Sequence, residues 1–397
     1  MRIVISIIRP FHSVMLSNAL LPYSSEIDIY SSAPRRFFRA LDKEVRTRFV
    51  PSPAAMLGHS LHINVPESLD QASSVFFDLS VAAVMGAADM YFGWATACLQ
   101  SARAAKRRGA RFVLDRACPH RDFQQALVQR ETERVGARFS AQPDWFRQRQ
   151  LEEYELADAI LVPSRYTSQS FPAHLQAKLV KAPLSGRCSF PERVGLKRRE
   201  TFTLGVVGGD PLRKGYLYLF KAWEKLALPN ARLLFRAGDF RQYPLLAAMS
   251  KRIKNLELVN YVPDIGEFYR RCDVFVLPSV DDGFGMALIE AMANGCACIT
   301  TTNTGASELL THGRDALIVN PADEDQLAEA ILRLYEAEDF RQALGHSGRQ
   351  TASSLVSSSA YKESLAALME RLTKPTAVEP ANCKASPSPL GRDVVAS

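Results

Sequence analysis

The chain has 397 residues, 47% of them hydrophobic and 23% charged, with a formal net charge of +7. That length suggests two domains, the composition is that of an ordinary globular protein, and no run approaches the roughly 18 uninterrupted apolar residues of a membrane span. The positive charge suits anionic ligands or an anionic membrane surface, and because no helix-turn-helix, zinc-finger or RNA-binding signature accompanies it, no nucleic-acid partner is expected.

The seven cysteines are odd in number and lack paired spacing, which points to a reducing cytoplasm and no disulfide framework. The opening MRIVISII runs straight into Arg9 and Pro10. It has no small-residue cleavage site and reads as a buried first strand, not a secretory leader. Short apolar runs follow at 90–92, 111–114, 159–162, 202–207, 231–235, 274–277 and 297–300. Helix-like stretches such as 123–135, 217–225 and 285–293 lie between them. This alternation predicts an α/β protein of parallel sheets wrapped by helices. The stretch 185–200, with Gly186, Pro191, Gly195 and the basic Lys197, Arg198 and Arg199, reads as a linker. The expected units are a domain over 1–190, a second over 191–355, a last helix over 356–372 and a disordered Pro-, Ser- and Ala-rich tail over 373–397.

Polar residues gather where strands are expected to end. The first run leads into Arg9-Pro10-Phe11-His12-Ser13. The run at 111–114 leads into Asp115, Arg116, Cys118 and His120, at the C-terminal end of a strand, where open parallel sheets bind ligands. A histidine so placed is either structural or part of a site. Cys118 has no base partner fixed by the sequence and reads as an inert thiol. The second domain opens with GVVGGDPLRKGY over 205–216, a Gly-rich turn followed by Arg213, Lys214 and a helix. Residues 278–293, PSVDDGFGMALIEAMA, follow an apolar strand and start a helix near Gly285. Free backbone N–H groups and the positive end of the helix dipole bind phosphate there, and glycines let the backbone approach an anion closely. Glu290, further along, offers a carboxylate for sugar or ribose hydroxyls.

This last segment resembles the acidic-x7-Glu signature of the retaining glycosyltransferases of family 4, which have the two-domain GT-B fold. Asp282 and Glu290, with seven residues between them, occupy the two acidic positions. The family usually has Glu at the first. The resemblance is clear over about 90–350 and thin before 80. It implies two Rossmann-like domains facing across a cleft, the first for the acceptor and the second for a nucleotide-sugar donor. It also implies a last helix that returns to the first domain. By the same resemblance Asp282 contacts the donor sugar, Glu290 holds the ribose and Lys214 reaches the diphosphate. Gly208, Gly209, Arg213, Gly283, Phe284, Gly285 and Met286 line the donor. Many members have Arg where this chain has Gly209. Arg213 either supplies that second cation or is a solvated charge. The resemblance places His120 near the reacting sugar, making His120, Asp282 and Lys214 the expected catalytic set. His12, Asp115 and Arg116 are the expected acceptor-side residues, although the loop around His12 lacks the family's glycines.

The implied reaction is retaining, metal-independent transfer to a saccharide or lipid-linked acceptor in bacterial polysaccharide synthesis, in the cytoplasm or on the inner membrane face, with no cofactor. Asp323 and Asp325 spell an Asp-x-Asp motif, but they precede a helical run and read as helix N-terminal acids. Residues 34–41, PRRFFRAL, either touch an anionic membrane or form a helix with one packed face. Two rivals remain: a degenerate member that binds a nucleotide sugar or a partner without turnover, and a nucleotide-sugar epimerase on the same fold.

Overall fold

The computed structural model describes residues 1–9, 12–38, 41, 44–53, 66–184, 201–237, 240–259 and 264–374. The first sheet contains β1 (Arg2–Ile7), β2 (Glu26–Ser31), β3 (Val45–Phe49), β4 (Met90–Trp94), β5 (Arg111–Asp115), β6 (Ala159–Val162) and β7 (Leu179–Lys181), in the order β3-β2-β1-β4-β5-β6-β7. The second contains β8 (Phe202–Gly208), β9 (Ala231–Ala237), β10 (Leu256–Leu258), β11 (Val274–Leu277), β12 (Ala297–Thr301) and β13 (Leu317–Val319), in the order β10-β9-β8-β11-β12-β13. Neighbouring strands pair in parallel in both sheets. Parallel strands need crossover connections, which the helices supply on both faces. The central strands are therefore apolar throughout: Val274, Phe275, Val276 and Leu277 are all fully buried.

In each sheet the strand order reverses direction, between β1 and β4 and between β8 and β11. The crevice outside the carboxyl ends of the strands at such a point is where doubly wound sheets bind ligands. His12 follows β1, and the loops 208–215 and 278–285 follow β8 and β11, so the fold places these three segments at switch points.

One buried charge explains an unexpected strand. Asp28 on β2 is fully buried and receives Arg2 at 3.0 Å, Arg46 at 3.2 Å and Arg48 at 3.0 Å. Arg46 and Arg48 stand on β3, so the edge of the sheet is stitched by ion pairs as well as by its ladder.

Helix Glu338–Ser357 runs past 355, and the last helix is Ala360–Thr373, so Thr373 closes that helix and does not begin a tail. Its buried Tyr361, Leu365, Leu368 and Met369 join the apolar cluster that contains Val14, Leu16 and Ala182 of the first domain. The helix packs beside Ser13–Leu20 and β7. The linker expected at 185–200 and the tail beyond 374 lie outside the described residues. Residues 35–38 form a 3-10 turn, and residues 39 and 40 of the same run lie outside the described residues. Among the described residues no helix is long and apolar enough to cross a membrane.

Candidate functional site

The two loops at the second switch point are interlocked. Gly215 has φ +67°, and a Cβ on it would lie 2.1 Å from the Pro278 carbonyl oxygen. Only glycine fits both the left-handed backbone and the close approach. The Arg213 carbonyl accepts from the N–H groups of Val280 (2.9 Å) and Asp281 (3.2 Å). These contacts bring Lys214 to Asp282, whose Oδ2 accepts from the Lys214 ammonium. The two side chains are 17% and 13% exposed.

Helix Met286–Ala293 starts from Gly285, at φ +87°. A Cβ there would meet the Thr304 methyl at 2.4 Å. Phe284 is buried and anchors the loop, while Met286 is partly buried against the core. Gly208 lies against Lys214: a Cβ on it would touch the lysine Cγ at 2.8 Å. Gly209 faces open space, and a Cβ added to it would meet nothing within 4 Å, so no neighbour excludes a side chain there. Glu290 stands on the helix that Gly285 starts, and its Oε2 accepts from the Tyr269 hydroxyl at 2.9 Å. Burial pushes the Glu290 carboxyl above the usual carboxylate range, and the Tyr269 hydrogen bond and the Arg236 charge pull the other way.

The first domain grips the same loop. Ser164 Oγ and Thr167 Oγ1 donate to the Gly283 carbonyl at 2.7 and 3.2 Å. Gly283 itself abuts Ala117, whose carbonyl oxygen would be 1.9 Å from an added Cβ. Asp281, fully buried, collects three donors: Arg213 Nε at 2.7 Å, Gln124 Nε2 at 2.7 Å and the Tyr166 hydroxyl at 3.1 Å. Gln124 and Tyr166 belong to the first domain. Burial and the Asp281 carboxylate hold the Tyr166 hydroxyl protonated, above the usual phenol range. Arg213 also points a guanidinium nitrogen at Cys118 Sγ, 3.8 Å away. Arg213 is thus a structural bridge between the domains, not the solvated charge that the sequence left open.

On the first domain the structure unites His12 with Asp115, His12 Nε2 lying 2.8 Å from Asp115 Oδ2. The His12 ring rests on Trp94, centroids 4.9 Å apart. Two expected site residues go elsewhere. Arg116 is buried and folds onto its own loop, Nε and Nη2 donating to the Pro119 carbonyl at 3.0 and 2.8 Å. His120 is also buried. Its Nδ1 accepts from the Asp122 N–H at 3.3 Å, capping helix Arg121–Arg134, and its ring is enclosed by Tyr154 and Phe171. Burial lowers its pKa to about 4. Its Nε2 is buried without a partner among the described residues, whereas the His12 side chain is 13% exposed.

The acids of the Asp-x-Asp motif are occupied locally. Asp323 caps helix Glu324–Glu336 through the Gln326 N–H, and Asp325 pairs with Lys225 at 2.7 Å. Among the described residues no group of three or more His, Cys, Asp or Glu side chains is placed to hold a metal ion.

The sequence model of the family Glycosyl transferases group 1 matches residues 201–337, which contain both interlocked loops, Lys214, Asp282 and Glu290. Over those residues the second domain is similar to that family. Mannosylfructose-phosphate synthase of Agrobacterium fabrum is 30% identical over 205 residues, 48% of this chain and 44% of that protein. The capsular polysaccharide biosynthesis glycosyltransferase CapM of Staphylococcus aureus is 35% identical over 184 residues, 44% of this chain and 47% of that protein. The chain spans less than half the length of these two curated relatives. The group 1 domain and its partner domain together share the GT-B fold of HepE from Anabaena, solved with UDP and glucose: TM-score 0.66, 16% identity, covering 94% of this chain and 100% of that one. Sucrose-phosphate synthase from Thermosynechococcus elongatus superposes equally well, with TM-score 0.66 and 17% identity over 94% of this chain and 99% of that one.

Asp281, Gln124, Tyr166 and Tyr269 escaped the sequence reading. Asp281 lies beside the motif acid Asp282, and no spacing rule links it to Gln124 or Tyr166.

Proposed function

We propose that the chain is a glycosyltransferase that moves a sugar from a nucleotide-diphosphate donor to a saccharide or lipid-linked acceptor. The observation that carries this reading is the pairing of Lys214 with Asp282 at the start of helix Met286–Ala293, between two interlocked loops of a group 1 domain. In such a transfer negative charge grows on the leaving diphosphate. A lysine ammonium and the N–H groups of a helix start neutralise it by fixed electrostatics, so no metal is required. Asp282 faces the transferred sugar and Glu290 the ribose. Retention of configuration belongs to this proposal through the resemblance to family 4, with the acceptor's proton passing to the leaving diphosphate. The complexes of HepE with UDP and with UDP-glucose and the capsular role in the name of CapM support a nucleotide-sugar donor and polysaccharide synthesis. The net positive charge supports work beside an anionic membrane surface in the cytoplasm.

Thermal-shift titration with UDP, GDP, ADP and their sugars tests the reading, because a ligand that binds only the folded state raises apparent stability by RT ln(1 + [L]/Kd). One base should stand out, its sugar should be turned over, and turnover should survive EDTA. Binding without turnover of any of these sugars would reduce the protein to a nucleotide-sugar-binding one. Loss of turnover on chelation, restored by Mg²⁺ or Mn²⁺, would overturn the metal-free mechanism.

A further inference from the structure

The His12–Asp115 pair lies outside the donor loops, yet it is built as a site. The two residues are 103 positions apart and meet at 2.8 Å. The Asp115 side chain is 5% exposed and that of His12 13%. An ionised carboxylate only accepts hydrogen bonds, so His12 Nε2 carries the proton and, in the neutral ring, Nδ1 is the lone-pair acceptor. Nδ1 has no hydrogen-bond partner among the described residues, and it is not among the buried atoms that lack one, so it opens to solvent. Trp94 backs the ring.

The surroundings tie the pair to the cleft. His12, Asp115, Ala117 and Tyr361 line one cavity of about 10 Å³, room for a single water. The Tyr361 hydroxyl, on the returning last helix, is buried without a partner among the described residues. Ala117 touches Gly283 of the donor loop on its other side. The end of β5 therefore carries Asp115 to His12, and the short loop after it carries Ala117 to the donor segment.

We infer that Asp115 is a positioning residue that locks His12 with Nδ1 as a hydrogen-bond acceptor, and that Nδ1 takes a hydroxyl of the acceptor sugar beside the one that reacts. This rests on the glycosyl-transfer reading for the identity of the ligand, but not for the tautomer. A carboxylate behind an imidazole fixes both its orientation and its tautomer. The other expected first-domain contacts, Arg116 and His120, are turned inward, which leaves His12 as the polar group of that set on the open side.

The test follows the ring directly. In protein labelled with ¹⁵N-histidine, the His12 signals are identified by their loss in His12→Gln. The wild type should show an unprotonated Nδ1 in the neutral ring. Asp115→Asn, whose amide can donate to Nε2, should move the proton to Nδ1. With UDP-, GDP- and ADP-glucose as donors and glucose, galactose and mannose as acceptor probes, Asp115→Asn and His12→Gln should raise the sugar KM at least about ten-fold, the loss of one hydrogen bond of roughly 1.4 kcal/mol. Affinity for the free nucleoside diphosphate should stay within about two-fold of wild type. A protonated Nδ1 in the wild-type neutral ring, or an unchanged sugar KM in both variants, overturns the inference. Wild-type protein that has the expected tautomer but turns over no donor would instead sink the glycosyl-transfer reading, and with it the sugar as ligand.

Discussion

The Lys214 ammonium is bonded to Asp282 Oδ2 across two loops of the second domain. On the proposed reading a bound diphosphate draws the lysine from that carboxylate, and the ion pair is the starting state for donor binding. Lys214→Ala is expected to weaken nucleoside-diphosphate binding roughly ten- to a hundred-fold, since a hydrogen bond to a charged group contributes about 1.5–3 kcal/mol. Nucleoside binding should change by less than about two-fold. Titration calorimetry with the diphosphate and with the bare nucleoside separates these outcomes, and equal losses would remove Lys214 from the phosphate site. Asp282→Asn removes the competing carboxylate, so it should lower turnover while leaving diphosphate affinity unchanged or higher.

Asp281 serves a different purpose from its neighbour. It is fully buried and satisfies Arg213, Gln124 and Tyr166 at once. Asp281→Ala strands a guanidinium that is 20% exposed and two partly buried polar groups; breaking a fully buried pair from one side costs about 3–5 kcal/mol, and the loss here should approach that range. Thermal melting should show one of the larger losses among single substitutions at the cleft. Because two of the three donors come from the first domain, the loss should also appear as faster limited proteolysis of the folded protein. A variant that melts with the wild type would show that the hub adds nothing to the interface.

The strands legible in the sequence were those with uninterrupted apolar runs: β1, β4, β5, β6, β8, β9, β11 and β12. β2 and β3 were hidden because EIDIYS and VRTRF carry charges that only the Asp28 cluster explains, and a single sequence does not reveal a carboxylate neutralised by three arginines from two strands. β7, β10 and β13 have three residues each, too few for a period. The donor loops were legible because glycines and charges sit at short fixed spacings. The pairing of His12 with Asp115 was not, since one follows β1 and the other ends β5, 103 residues apart. The burial of His120 was hidden for a related reason: the sequence puts a histidine at the tip of β5, but Tyr154 and Phe171, which enclose its ring, lie 34 and 51 residues downstream.

The Tyr269 hydroxyl occupies Glu290 Oε2, and on the proposed reading Oε1 takes a ribose hydroxyl. Glu290→Gln should weaken nucleoside-diphosphate binding and erase most of the preference for the ribose form over the 2′-deoxy form. Tyr269→Phe should reduce that preference more gently, by roughly two- to ten-fold, the worth of a neutral hydrogen bond of about 0.5–1.5 kcal/mol. The tyrosine bond also pulls the Glu290 carboxyl down, so its removal should make ribose recognition more sensitive to acid. If Tyr269→Phe matched the wild type on both nucleotides, the tyrosine would be mere packing. If Glu290→Gln also kept full discrimination, Glu290 would leave the ribose site.

Two buried groups should oppose each other in the dependence of stability on pH. Glu153, fully buried, accepts from the N–H groups of Thr96 at 2.6 Å and Cys98 at 3.2 Å, holding Thr96 at φ +84°. Burial raises its carboxyl from 4.5 to about 7, against the pull of Arg149 and the two N–H groups. Between those values the folded state holds a proton that the unfolded state has lost, so this group's contribution to stability falls as pH rises from 4.5 to 7, by on the order of 3 kcal/mol. His120 runs the other way. Its pKa is about 4 folded against 6.5 unfolded, so the unfolded chain takes the proton first and stability is lost as pH falls from 6.5 towards 4. The wild type should therefore be flatter over this range than either variant. Glu153→Gln gives up one backbone hydrogen bond but needs no proton, so its deficit against the wild type should shrink between pH 5 and pH 8. His120→Asn keeps a capping side chain and removes the acid-side penalty, so it should gain on the wild type as pH drops from 7 to 5. Urea unfolding midpoints at pH 5, 6, 7 and 8 read both differences. Curves that run parallel to the wild type would mean that neither group changes its proton affinity on folding.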